Sequence, residues 1–100
     1  MLRTALATGS ATVTNAVKAI SHADFGFSTA ELVAARKATL SVIANTVMVT
    51  WDGTDPTITL GHSLLAAGQG WQVVEGNGNI IRLKFIRLSG DGVVTITLER

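Results

Sequence analysis

The side chains able to do chemistry in this chain are His22, His62, several serines and the carboxylates Asp24, Asp52, Asp55 and Asp91. Nucleophilic catalysis needs a serine beside a histidine that a carboxylate orients, and the inventory permits such a triad. The order of the residues does not favour one. His62 and Ser63 are adjacent, and neighbours on an extended strand project to opposite faces, so this pair is badly placed to bond. The sequence has no GxSxG elbow, no HExxH, no phosphate-cradling GxxxxGK[ST] and no spaced aspartates of a calcium loop. Zinc takes three or four ligands, and without cysteine the two histidines plus a carboxylate fall short. Each histidine is therefore read as bonding backbone at a loop or strand end, and no catalytic residue, metal or cofactor is expected. Asp52 and Asp55 flank Gly53. Aspartate in such a setting commonly bonds its own backbone two residues on, which predicts a turn in preference to a weak Ca²⁺ site.

Two tryptophans raise the question of sugar stacking. Trp51 shares its parity with Val47 and Val49, so core packing is expected for it. Trp71 follows "AGQG" without such partners and is a candidate for exposure, with Gln69, Gln72 and Asn77 as polar companions. Arg82, Lys84 and Arg87 read as the solvated face of a strand, or as a row that meets an acidic neighbouring subunit. With Trp71 they form the candidate interface.

The chain that must position these groups is apolar and poor in charge. Hydrophobic residues make up 47% and charged residues 15%, against the usual ~25% charged in soluble domains. Few charges leave apolar surface that water disfavours, which subunit contact would remove. The net charge of +1 lacks the basic footprint that a phosphate backbone demands, so nucleic acid is not an expected partner. No apolar run approaches the ~18 residues of a membrane span, and the start "MLRTALATGSATVTN" has no signal-peptide apolar core. A protein made in a cytoplasm without export and not bound to membrane is the expectation. One domain over residues 1–100 is expected, with an N-terminal segment 1–15 extended or packed separately.

Glycine supplies the punctuation. "WDGT", "EGNGN" and "SGDGV" each place Gly beside Asp or Asn, the composition of hairpin turns. Between them runs a two-residue period. Ala38, Leu40 and Val42 oppose Thr39 and Ser41; Val47, Val49 and Trp51 oppose Met48 and Thr50; Val94, Ile96 and Leu98 oppose Thr95 and Thr97. In "IIRLKFIRL", Ile81, Leu83 and Phe85 share a side, and Ile86 and Leu88 then break the parity, which predicts a bulge or a strand covered on both faces. Leu40, Val42, Val49, Leu83, Phe85, Val94 and Ile96 are expected in the core. The segment "ATVTNAVKAI" holds one or two strands. "FSTAELVAARK" carries the capping box Ser28–Glu31 and predicts a helix over Thr29–Arg36 that closes one end of the fold. The fold class is all-β: an antiparallel β-sandwich, jelly-roll or immunoglobulin-like, with one short helix.

"VTWDGTDPTITLGH" is then a corner, since Pro56 cannot donate to a ladder and Asp52–Gly53 turns the chain. The strand is expected to restart near Thr57, with Leu60, Leu64 and Leu65 anchoring the passage that follows. Here the sequence resembles small β-sandwich virion proteins of tailed bacteriophages. The residues that carry the resemblance are Asp52, Gly53, Thr54, Pro56, Thr57, Gly61, His62, Leu64 or Leu65, Ala67, Gly68, Ile86, Arg87 and the closing "VVTITLER". It covers residues 37–100. It implies a non-enzymatic structural part of the particle, either a capsid decoration (cement) protein or a head-to-tail component, located in the virion. Its implied partners are the major capsid protein or other virion subunits, and the apolar composition adds the expectation of further copies of itself in closed symmetry such as a trimer. The competing expectation is a carbohydrate- or receptor-binding module built around Trp71.

Overall fold

A computed structural model of the chain describes residues 4–64 and 71–100. Among these, the elements in chain order are β1 (Ala5–Val13), β2 (Lys18–Ala19), α1 (Thr29–Ala34), β3 (Lys37–Ile43), β4 (Val47–Thr50), β5 (His62–Leu64), β6 (Gln72–Glu75), α2 (Asn77–Ile80), β7 (Lys84–Arg87) and β8 (Gly92–Glu99). Every ladder is antiparallel. The strands form two four-stranded sheets, ordered β1-β8-β3-β6 and β2-β7-β4-β5. The pairings β1 with β8, β2 with β7, β3 with β6 and β4 with β5 nest inside one another. The chain is thus one long antiparallel ribbon folded at the β4–β5 connection, with successive pairs rolled into alternate sheets. That arrangement is the eight-stranded jelly roll, so the sandwich is of the first of the two expected kinds.

The alternating strands place their apolar sides between the sheets. Leu40, Val42, Val49, Leu83, Phe85, Val94 and Ile96 are all buried, as their parity predicts. Ile20, Phe25 and Ile80 join them from outside the clearly periodic segments. Phe25 packs on Phe85 with ring centroids 5.7 Å apart. On the outer side of the first sheet β-branched hydroxyl residues line up across strands, as where the Thr8 and Thr97 hydroxyls bond at 3.0 Å. Residues 5–13 of the N-terminal segment are extended and belong to this sheet, paired along β8 with an irregularity between Ala5 and Ala7.

Backbone approach fixes one glycine. An added Cβ at Gly9 would stand 2.1 Å from the Phe25 carbonyl oxygen, a backbone atom that cannot rotate away. Gly9→Ala is therefore expected to lower stability by about 1–3 kcal/mol, the usual range for overpacking. Urea unfolding measures it, and an unchanged midpoint would contradict the placement of the Phe25 segment.

The helix forms for the expected reason. The Glu31 N–H donates to the Ser28 hydroxyl at 3.1 Å, and the Ser28 N–H donates to Oε1 of Glu31 at 2.8 Å, completing the capping box. It ends at Ala34, two residues short of Arg36, because Arg36 already donates its N–H to Glu99 in the sheet. Leu32 packs against the core while Val33 is exposed.

Three expectations change. "EGNGN" is not a hairpin turn: it opens α2, and Ile80 and Leu83, three apart, are buried while Ile81 and Arg82 between them are exposed. That helical spacing replaces the strand expected from Ile81, and β7 begins only at Lys84. β4 is buried along its whole length, Met48 and Thr50 included. The β4–β7 register runs without a break and sets Ile86 opposite Met48, so the parity change reflects cover on both faces and not a bulge.

Candidate functional site: the two ends of the sandwich

Strand directions sort the connections by end. Val13, Ile43 and Arg87 end their strands, and Lys18, Val47 and Gly92 begin theirs, at one end of the sandwich, while β6 begins at Gln72 beside Leu40, halfway along β3. At that end the β1–β2, β3–β4 and β7–β8 connections are tied to one another. Arg87 N–H donates to Thr14 O at 3.0 Å and Leu88 N–H to Thr46 O at 3.2 Å. The Asn45 amide donates to Asp91 O at 2.9 Å, and Arg87 pairs with the Asp91 carboxylate at 2.6 Å. Trp71, before the start of β6, is 69% exposed, and this end also leaves apolar side chains in water: Ile43 is 64% exposed, and Val17 and Leu88 are exposed as well. Arg87 and Asp91 neutralise each other there.

The corner lies at the opposite end, and local bonds hold it throughout. Gly53 takes a left-handed φ of 90°, which lets the chain reverse directly after Asp52. The Thr54 N–H donates to Oδ1 of Asp52 at 2.9 Å, so the expected aspartate turn is present. Thr50 donates its hydroxyl to Thr54 O, Pro56 is fully buried, and Asp55 pairs with Lys84 at 2.8 Å. Reciprocal backbone bonds between Thr57 and Leu60 close a turn there, which delays the strand from the expected Thr57 to His62. Leu60 is exposed and anchors nothing, Leu64 is buried in β5, and Leu65 lies outside the described residues.

Trp51 corrects a second expectation. Its parity does point to the core side, but β4 stops at Thr50, so the ring reaches only the lip of the sandwich and stays 37% exposed. There it stacks on His62, centroids 4.6 Å apart and planes at 15°. A cleft of about 440 Å³ borders this pair on the side of Asp52, Thr54, Thr59 and Leu60. Another of about 460 Å³ runs from the same pair toward Leu40, Val49 and Leu64.

The four interface candidates do not form one surface. Arg87 belongs to the first end, and Trp71 lies before β6, level with the middle of β3. Lys84 pairs with Asp55 of the corner, and Arg82 lies beside Gly53 and Asp52, preceding β7 instead of continuing its face. Lys84 and Arg87 are both held by carboxylates of the same chain. Trp71's expected polar companions disperse. Gln72 is exposed next to it, but the Asn77 amide donates to the carbonyls of Leu32, Val33 and Ala35 at the end of α1, and Gln69 lies outside the described residues, as do Ala67 and Gly68.

The reactive inventory is used for structure. Ser63 donates to the Met48 sulfur at 3.5 Å while His62 stacks on Trp51, so the adjacent pair does face apart. His22 accepts the Asp24 N–H at Nδ1, a backbone bond of the expected kind. Lys18, buried, reaches both Asp24 and Thr12 O at 2.6 Å. Among the described residues no three His, Cys, Asp or Glu side chains converge. Two carboxyls are shifted. The Lys18 hydrogen bond holds Asp24 below the ordinary 3.8, and the Thr54 backbone N–H does the same for Asp52. A depressed folded-state value contributes stability above the unfolded value and loses it as pH falls through the folded one. The thermal midpoint should therefore fall on acidification below about pH 4, and Asp52→Asn should flatten that fall. Melting curves across that window measure it.

No protein-family model, curated protein or solved structure matches the chain. The class rests on fold and surface: a jelly roll with ordered apolar ends. The sequence offered weak notice of those ends, since Ile43, Ile58, Leu60 and Leu88 are apolar residues next to turn residues with no partner in the strand period.

Proposed function

We propose that the protein is a non-enzymatic structural subunit of a tailed-phage virion: a capsid decoration (cement) protein held to the capsid exterior by apolar and backbone contacts. The observation that carries this reading is exposed apolar area: Trp71 beside the start of β6, and Ile43, Val17 and Leu88 at a loop end whose β1–β2, β3–β4 and β7–β8 connections are bonded to one another. Exposed apolar area favours association. An end already ordered loses little conformational entropy on docking. Its ion pairs Arg87–Asp91 and Lys18–Asp24 are satisfied internally, so partner charge is not what would hold it. The resemblance of residues 37–100 to small virion β-sandwich proteins and the use of jelly rolls in viral capsids support the same reading. The major capsid protein is the partner, and a closed ring of copies such as a trimer would cover further apolar area. A head-to-tail position would use the same surface.

Co-sedimentation with phage shells tests it. Saturable binding is expected, weakened only slightly by added salt, because exposed charge pairs contribute about 0–1 kcal/mol each. Protein that stays monomeric at high concentration and sediments with no shell or particle would overturn the reading.

A further inference from the structure

We propose that the cleft beside the Trp51–His62 stack, at the end opposite the apolar loop end, binds the ring face of a neutral pyranose sugar. A pyranose has C–H faces that are apolar and an edge of hydroxyls. Its recognition calls for a flat aromatic surface with short polar groups around it. His62 stacks on one face of the Trp51 indole, 4.6 Å away and nearly parallel, and holds it in place, so the flat surface on offer is a single fixed indole that is 37% exposed. Leu60 extends the apolar wall, and Thr54, Thr59 and Asp52 place hydroxyls and a carboxylate along the same cleft. Its volume of about 440 Å³ falls within the ~300–1,000 Å³ of small-molecule sites.

The corner bonds also select the ligand. Oδ1 of Asp52 is fixed by the Thr54 N–H, so the carboxylate sits ready to accept sugar hydroxyls. Asp52 is the charged side chain among the described residues that line the cleft, and Arg82 lies beside it, so the two charges offset and a neutral saccharide suits the cleft. Since the aspartate turn, the Thr57–Leu60 turn and the Asp55–Lys84 pair order this wall before binding, little is lost in arranging it. In the cleft the sugar ring would lie on Trp51, and the exposed Trp71 has no part in it. The site does not depend on the virion role, which uses the other end.

The test is an NMR titration of the isolated protein with maltotriose, cellobiose, mannobiose and lactose. Saturable shifts in the millimolar range, centred on the Trp51 indole, Gly61 and His62, are expected for at least one of them. Trp51→Ala should weaken that binding by about tenfold or more, and Trp51→Phe by less, while Val33→Ala leaves it unchanged. Absence of any saturable shift with all four sugars would overturn the proposal, as would shifts centred on Trp71. An equal response to tetramethylammonium would overturn it too, because it would mark an aromatic cage for cations. Shell binding that persists in Trp51→Ala would show that loss of sugar binding leaves the virion role intact.

Discussion

Trp71→Ala should weaken binding to phage shells by roughly thirtyfold, the ~2 kcal/mol that marks an interface hot spot. Trp71 is 69% exposed, so its removal deprives the folded protein of little, and surface substitutions usually move stability by no more than about 0.5 kcal/mol. An unchanged unfolding curve beside a lost contact is the signature of an interface residue. Ile43→Asp, at the loop end, goes further, since it would bury an unpaired carboxylate in any apolar contact. Its binding should be abolished. Co-sedimentation over a range of protein concentrations measures both variants. Wild-type binding by either one would remove that residue's surface from the account.

Phe85→Ala is expected to cost about 3–5 kcal/mol, the range for deleting a buried aromatic ring. Phe85 is fully buried on β7, packed against Phe25 and flanked in its sheet by β2 and β4. The cavity would therefore open where a long loop and the central strands of the second sheet meet. Against the ~5–15 kcal/mol that typical domains possess, much of the protein would be unfolded at physiological temperature. Guanidinium unfolding followed by Trp fluorescence and by circular dichroism should show the same early transition with both probes. A loss below about 1 kcal/mol would mean that Phe85 does not sit at the centre of the core.

The period of two made the core legible because each central strand has one face against the opposite sheet, as β8 shows with Val94, Ile96 and Leu98 in and Thr95 and Thr97 toward the outside. The same rule misjudged Trp51, whose parity was right but whose strand ends one residue earlier; parity gives the face and not the length. It also misjudged Met48, because β4 is covered from its outer side by residues distant in sequence, Ile86 and Ser63 among them. Local chemistry was readable where it is self-contained: Ser28 with Glu31, and Asp52 with Thr54. The jelly-roll order was not readable, since β1 with β8 and β2 with β7 join residues some seventy to ninety positions apart and no local signal selects them. For the same reason the interface row dissolved. Arg82, Lys84 and Arg87 are close in sequence, yet Arg82 and Lys84 lie against the corner beside Asp52 and Asp55, and Arg87 pairs with Asp91 at the opposite end.

Cryo-electron microscopy of tailed-phage particles isolated from the source of this sequence tests the proposed virion role most directly. The account predicts density for the jelly roll on the capsid exterior in many symmetric copies, with Trp71, Ile43 and Leu88 against a neighbouring subunit and the Trp51–His62 corner turned to solvent. A particle whose every surface density is accounted for by other proteins, with this chain absent from it, would contradict that account.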